Sequence, residues 1–305
     1  MGYVRLRLIL VSVLVLGGVF PAYAQRVILF GVDGLASEGI EKANTPNIHA
    51  LMKSGSWSLQ ARAVIPTISS PNWAAMIMGA PTELTGVTSN DWQPDSYTIA
   101  PACADSPGHF PTLFNLEHIQ HPNAQIGIFT DWPAFTRLVE KGAATKVYVS
   151  QEVADEAFGH ALQYLRNAKP DLLFLHLDNV DDAGHEFGWE SPKYLTQVEK
   201  VDGMLGQLLA TLDALNLRSS TVILFTADHG GIGTIHGGYT MNEIQIPWII
   251  SGPGIRKNNE INGTIMQYDT AATLAAILHV TPSACWRGRP VAAAFTAANK
   301  PKAQP

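Results

Sequence analysis

Phe225-Thr-Ala-Asp228-His229-Gly-Gly-Ile-Gly-Thr-Ile-His236-Gly-Gly places an aspartate, a histidine and, seven residues on, a second histidine among glycines. Carboxylate and imidazole together suit Zn²⁺ or a similar borderline divalent ion. Glycine lets the backbone turn sharply and approach a ligand closely. Comparable residues recur at three other places. Arg26-Val-Ile-Leu-Phe-Gly-Val-Asp33-Gly34 ends an apolar run in Asp-Gly. In Asp178-Asn-Val-Asp181-Asp182-Ala-Gly-His185, Asp181 and His185 are four apart and share a face on a helical turn. Asp182, three from His185, is the rival ligand, and Asp178 could hydrogen-bond a liganding histidine from outside. In Thr67-Ile-Ser69-Ser70-Pro71-Asn72-Trp73, hydroxyls precede a short apolar helix. A hydroxyl there either caps the helix or serves as a nucleophile, because the positive end of the helix dipole stabilises an anion or alkoxide. Ser69, Ser70 and Thr67 all lie close enough for that role.

The elements that must hold these residues alternate. Continuous apolar runs predict buried strands over 26–32, 170–178, 221–225 and 246–251, with shorter strands over 57–64, 124–130 and 145–149. Between them come helical patterns: one after Thr45-Pro46 that ends at Gly55, one over 71–79, and others over 111–119, 150–167, 191–217 and 267–279. This alternation predicts one mostly parallel sheet with helices on both faces. Asp33, Asp181 and Asp228 then sit at or just past strand carboxyl ends, where open α/β sheets bind ligands. Residues 93–110, rich in Pro, Ser and Asp, form an irregular excursion after Asn90-Asp-Trp92.

The chain has 305 residues and a formal charge of −6, with 15% charged residues and no basic cluster for a nucleic-acid duplex. An anionic substrate would therefore need positive charge brought in locally, which bound metal supplies. Arg5 and Arg7, an apolar run from Leu8 to Phe20 and Ala22-Tyr-Ala24 have the form of a cleavable leader cut near Ala24. Residues 25–305 then form a single catalytic domain, exported to a periplasmic or extracellular space. An oxidising compartment permits a disulfide between the two cysteines, Cys103 and Cys285.

Taken in order, these segments resemble the alkaline phosphatase superfamily, and most of all its type I phosphodiesterase / nucleotide pyrophosphatase branch. The similarity covers nearly all of 26–251. Asp33-Gly34 matches the branch's first strand end. Ser69-Ser-Pro-Asn72 matches its Thr-x-Pro-Asn, and Gly86-Val-Thr-Ser-Asn90 its Gly-Ile-Val-x-Asn. Val180-Asp-Asp-Ala-Gly-His-Glu-Phe-Gly188 matches Pro-Asp-x-x-Gly-His-x-x-Gly, and Asp228-His-Gly230 its Asp-His-Gly.

The resemblance implies an alkaline phosphatase-like sandwich with a minimal cap and Ser69 as nucleophile. One zinc would take Asp181, His185 and His236, and a second Asp33, Asp228, His229 and the Ser69 oxygen. Asn90 and the Ser70 N–H would hold a non-bridging oxygen, with Trp92 and the 93–110 excursion lining the pocket. The implied reaction is attack on phosphorus, a covalent phosphoserine and its hydrolysis, on a small phosphodiester or pyrophosphate. Serine stands where the branch usually has threonine. The last histidine, usually beyond an inserted cap, here follows Asp228-His229 within seven residues.

Two rival readings share these residues. A phosphomonoesterase would need an extra cation, for which only Arg62 and Arg137 are within plausible reach. A non-catalytic, metal-stabilised binding protein would keep the ligands without turnover. A sulfatase would need Cys/Ser-x-Pro-x-Arg, and Ser69-Ser-Pro-Asn-Trp lacks the arginine.

Overall fold

A computed structural model describes residues 26–301; the expected leader lies outside them. The chain runs β1 (Arg26–Val32), α1 (Ser37–Lys42), α2 (Pro46–Ser54), β2 (Ser56–Arg62), α3 (Ser69–Met78), α4 (Thr82–Thr85), α5 (Leu113–Gln120), β3 (Ile126–Thr130), β4 (Lys146–Val149) and α6 (Ala154–Ala168). It continues through β5 (Leu172–Leu177), α7 (Asn179–Phe187), α8 (Pro192–Ala214), β6 (Thr221–Ala227), α9 (Met241–Ile244), β7 (Gln245–Ser251), β8 (Asn259–Glu260) and α10 (Asp269–Leu278).

The eight strands form one sheet in the order β4-β3-β5-β1-β6-β7-β2-β8. All neighbours pair in parallel except β7, which is antiparallel to both β6 and β2. Every residue of β3, β5 and β6, and all but the first of β1, is buried. A strand buried at consecutive positions is covered on both faces. The covering helices form two groups. α6 packs on β3, β5 and α8, and α8 on α2 and α7, while α10 packs on β1, α3 and α5.

The sheet order puts the ends of β5, β1 and β6 side by side. The register pairs Val32 with Leu177 on one flank and with Ala227 on the other. The next residue on each strand is an aspartate: Asp178, Asp33 and Asp228. Adjacent parallel strands are about 4.8 Å apart, so the three carboxylates must gather at one sheet edge. α7 starts just after β5 and turns Asp181 and His185 onto the same ground.

Cys103 in the 93–110 excursion is bonded to Cys285, 182 residues on. The bridge ties a segment without helices or long strands to the C-terminal part of the chain. Closing so long a loop removes much freedom from the unfolded chain. Cys103→Ser with Cys285→Ser is expected to lower unfolding free energy by about 2–5 kcal/mol, read from denaturant midpoints. An unchanged midpoint would show that the excursion is held by packing alone.

Candidate metal centre

Asp33, Asp228 and His229 form one group, and Asp181, His185 and His236 a second. Within each group one ligand atom per residue lies within 4.8 Å of the others. The first group is fully buried. In the second, Asp181 is 7% exposed and the His185 side chain 46%. One group therefore lies at the floor of the site and the other at its mouth.

The histidines are oriented alike. His229 Nδ1 is 2.9 Å from Gly230 O, His185 Nδ1 is 3.0 Å from Thr234 O, and His236 Nδ1 is 2.7 Å from Thr67 O. A carbonyl can only accept, so each Nδ1 carries the proton and each Nε2 faces inward. His185 Nε2 and His236 Nε2 lie 3.1 Å apart. Asp178, expected as a hydrogen-bond partner of these rings, has another place. Its backbone N–H donates to the Asp131 carboxylate, and its own carboxyl joins Asp33 and Asp181.

The carboxylates supply the complementary vacancies. Asp33 Oδ1, Asp181 Oδ1 and Asp228 Oδ2 are buried and make no hydrogen bond. Buried polar atoms are almost always satisfied, and these three face the inward Nε2 atoms. His229 Nε2 is 3.4 Å from Asp33 Oδ1 and 3.1 Å from Asp228 Oδ2. Burial, then the charges of Asp33 and Asp181, push the Asp228 carboxyl well above its usual range. Asp178 is raised likewise by burial and by Asp33 and Asp181. Burial lowers the basicity of His229. The hydrogen bond to Asp181 raises His185 to about 9. So much negative charge requires positive charge among it, either a proton or a divalent ion. Three unsatisfied oxygens and three inward imidazole nitrogens fit borderline divalent ions.

Ser69 is the first residue of α3, with Ile68 as the N-cap and no side-chain capping bond. The Ser69 hydroxyl is therefore not used as a cap. It is 5% exposed and 3.3 Å from His229 Nε2. Asn72 delivers it. The Asn72 side chain accepts from Val64 N and donates to Pro66 O and Ile68 O, which staples the turn before the helix. Gly79 ends the helix in a left-handed conformation, φ 59°.

Ser70 N–H donates to Asn90 Oδ1 at 2.8 Å. That fixes the amide: oxygen toward the helix, NH₂ toward the other side. Arg137 holds the Asn90 loop from behind, donating to Asn90 O at 2.7 Å, Trp92 O at 3.3 Å and Ala134 O at 3.2 Å. Its guanidinium is thereby committed to backbone carbonyls. Trp92 is 3% exposed, edge-on to His109. Arg62 points to Met241 Sδ. Arg137→Met is expected to raise KM for a phosphoester severalfold with a smaller change in kcat, because it loosens Asn90 without touching the ligand groups. A kcat loss with KM unchanged would contradict this.

Three features of the site escaped sequence reasoning. His176, inside β5, bonds Asp33. Trp73 Nε1 donates to Asp33 Oδ2 at 2.8 Å. Glu243 accepts from Gly238 N, Thr240 N and Thr240 Oγ1, and Thr67 Oγ1 bridges Gly237 N and Gly238 O. Glu243 and Thr67 thus clamp the short loop that holds His236.

A mostly parallel sheet covered by helices, with two His/Asp groups at its carboxyl edge, defines the class: an alkaline phosphatase-like fold with a candidate metal centre. The type I phosphodiesterase / nucleotide pyrophosphatase family profile matches residues 27–245, and the chain belongs to that family of phosphoric ester hydrolases. Human ectonucleotide pyrophosphatase/phosphodiesterase family member 1 is 26% identical over 216 residues, 67% of this chain and 23% of that protein. The chain thus matches about a quarter of that relative's length. Murine ectonucleotide pyrophosphatase/phosphodiesterase 5, solved as an inactive variant in complex with AMP, superposes with TM-score 0.71 at 18% identity, covering 85% of this chain and 96% of that one. A variant of the alkaline phosphatase PafA gives TM-score 0.75 at 12% identity over 90% and 99%. Both likenesses concern the fold.

Proposed function

We propose that the chain is an exported, two-metal phosphodiesterase or nucleotide pyrophosphatase with Ser69 as nucleophile. The observation that supports it most is the unsatisfied set: Asp33 Oδ1, Asp181 Oδ1 and Asp228 Oδ2 without hydrogen bonds, beside three histidines whose Nδ1–H groups already donate to backbone carbonyls. Asp33, Asp228 and His229, with the Ser69 oxygen, would hold one ion; Asp181, His185 and His236 would hold the other. Zn²⁺ suits both donor sets. Bound ions would make a hydroxyl a nucleophile at neutral pH and offset charge on the phosphoryl group.

The remaining steps belong to the chain's own residues. Ser69 sits at the amino end of α3, where the dipole favours negative charge on its oxygen. Ser69 Oγ attacks phosphorus, the bond to the leaving ester oxygen breaks, and the serine becomes esterified to the phosphoryl group, which keeps its other ester. Water then attacks that phosphorus and restores the hydroxyl. Asn90, held by Ser70 N–H and Arg137, presents its NH₂ to a non-bridging oxygen. Trp92, buried under the same loop, supports it from inside.

The committed Arg137 favours a diester. A monoester carries an extra negative charge, and each guanidinium nitrogen of Arg137 is already turned to a backbone carbonyl. The murine relative's AMP complex supports a nucleotide-type ester. Export is part of this proposal: residues 1–24 have the form of a leader, and the Cys103–Cys285 bridge suits an oxidising compartment. Among the described residues no helix is long and apolar enough to cross a membrane. The test is the ratio of kcat/KM for bis-p-nitrophenyl phosphate against p-nitrophenyl phosphate. A ratio well above one is expected; a ratio below one would place the chain among phosphomonoesterases.

A further inference from the structure

His176 is the penultimate residue of β5, fully buried, in a strand otherwise made of leucine and phenylalanine. Its ring is enclosed by aromatic side chains: edge-on to Trp73 at 4.6 Å, stacked on Phe135 at 5.6 Å, and tilted against Trp132 at 6.0 Å. A polar ring in such a box is costly to bury unless its nitrogens are used. Both are. Nε2 is 3.3 Å from Asp33 Oδ2, and Nδ1 is 3.0 Å from Thr130 Oγ1 and 3.6 Å from Asp131 Oδ1.

Asp33 Oδ2 thus receives two hydrogen bonds from behind, one from His176 and one from Trp73. Its other oxygen, Oδ1, has none and faces His229. Glycine makes this possible. A Cβ on Gly31 would come within 2.4 Å of the Trp73 ring, so the indole reaches Asp33 only because β1 lacks a side chain there. Beyond His176 the connection continues. Asp131 accepts from Asp178 N, the residue that opens α7, and α7 bears Asp181 and His185.

We propose that His176 is a positioning residue for Asp33: it holds Oδ2 in place, together with Trp73, so that Oδ1 alone is presented to a cation. This rests on the two-metal reading of the site. Removing such an outer partner typically weakens metal binding by about 10–100-fold. The effect falls on the floor group, whose Asp33 it touches directly, more than on the mouth group, which it reaches only through Asp131 and Asp178.

The experiment is a zinc titration of chelator-stripped protein against a chromogenic zinc chelator, resolving two equivalents. His176→Gln keeps an N–H near the Nε2 position. His176→Asn places its amide nearer the Nδ1 side, and His176→Phe removes both. In Gln the weakened class of site is expected to stay within about threefold of wild type, while in Asn and Phe one equivalent weakens by about 10–100-fold. Undiminished affinity in Asn and Phe, or equal loss in Gln and Asn, overturns the role of His176. If the Phe variant fails to fold, the Gln and Asn pair decides alone. Wild-type protein that binds no zinc overturns the metal reading itself, an outcome distinct from two tight sites that ignore residue 176.

Discussion

Alanine in place of Ser69 is expected to lower diester turnover by roughly a thousandfold or more, the scale seen when an enzyme loses its nucleophile. The substitution removes one oxygen and little else. Ser69 makes no capping bond to α3, whose N-cap is Ile68, so the helix loses no satisfied group. Its hydroxyl contact is with His229 Nε2. Folding should therefore stay near wild type while kcat collapses; the floor ion loses the Ser69 oxygen but keeps Asp33, Asp228 and His229 as donors. Ser70→Ala is the control. Ser70 acts through its backbone N–H to Asn90, which alanine retains, so its effect should be small. A Ser69→Ala protein within tenfold of wild type, or a larger loss in Ser70→Ala, would move the nucleophile elsewhere.

The second large effect is expected at the mouth of the site. His236→Ala removes an inward Nε2 that lies 3.1 Å from that of His185. Losing a partner one step removed from a metal costs about 10–100-fold, and losing a direct ligand costs more. Turnover should fall by more than about a hundredfold, with partial recovery in excess zinc. Asp182→Asn makes the matching comparison. Asp182 is exposed and belongs to neither His/Asp group; partial desolvation and then the charge of Asp181 raise its carboxyl to about 6. It should keep near-wild-type activity, whereas Asp181→Asn should not. Equal losses at 181 and 182 would mean that α7 is set differently on the site.

Much of this arrangement was legible in the sequence because the strands are apolar throughout. Residues 27–32 and Thr221–Ala227 are buried on both faces, and their Asp-Gly and Asp-His-Gly ends stand out against that background. The direction of β7 was not legible. An apolar run buries equally well in either direction, and only the β6–β7 and β2–β7 pairings show it to be antiparallel. β8 is two residues long and leaves no periodic trace. The start of α3 fell two residues earlier than Pro71 suggested, since Asn72 closes the turn in place of a serine cap.

In the site, ligand candidates were legible because carboxylate and imidazole are rare at the ends of buried strands. Their supports were not. His176 reads as one more buried residue of an apolar strand; its signal was a histidine with no reason to be there. Gly31 was a matching hint, since glycine inside a buried strand marks a close approach. Glu243 and Thr67 act on backbone groups of the 236–240 loop, and such bonds have no sequence signature. The Cys103–Cys285 bridge has no sequence signature either, because two cysteines 182 residues apart imply no distance in space.

The most direct measurement is reconstitution of turnover. Chelator-stripped protein is titrated with zinc while hydrolysis of bis-p-nitrophenyl phosphate is followed. The account predicts no turnover at the start and a rise that levels off at two equivalents per chain. Full turnover in the stripped protein, or a chain that takes up no zinc, would contradict it.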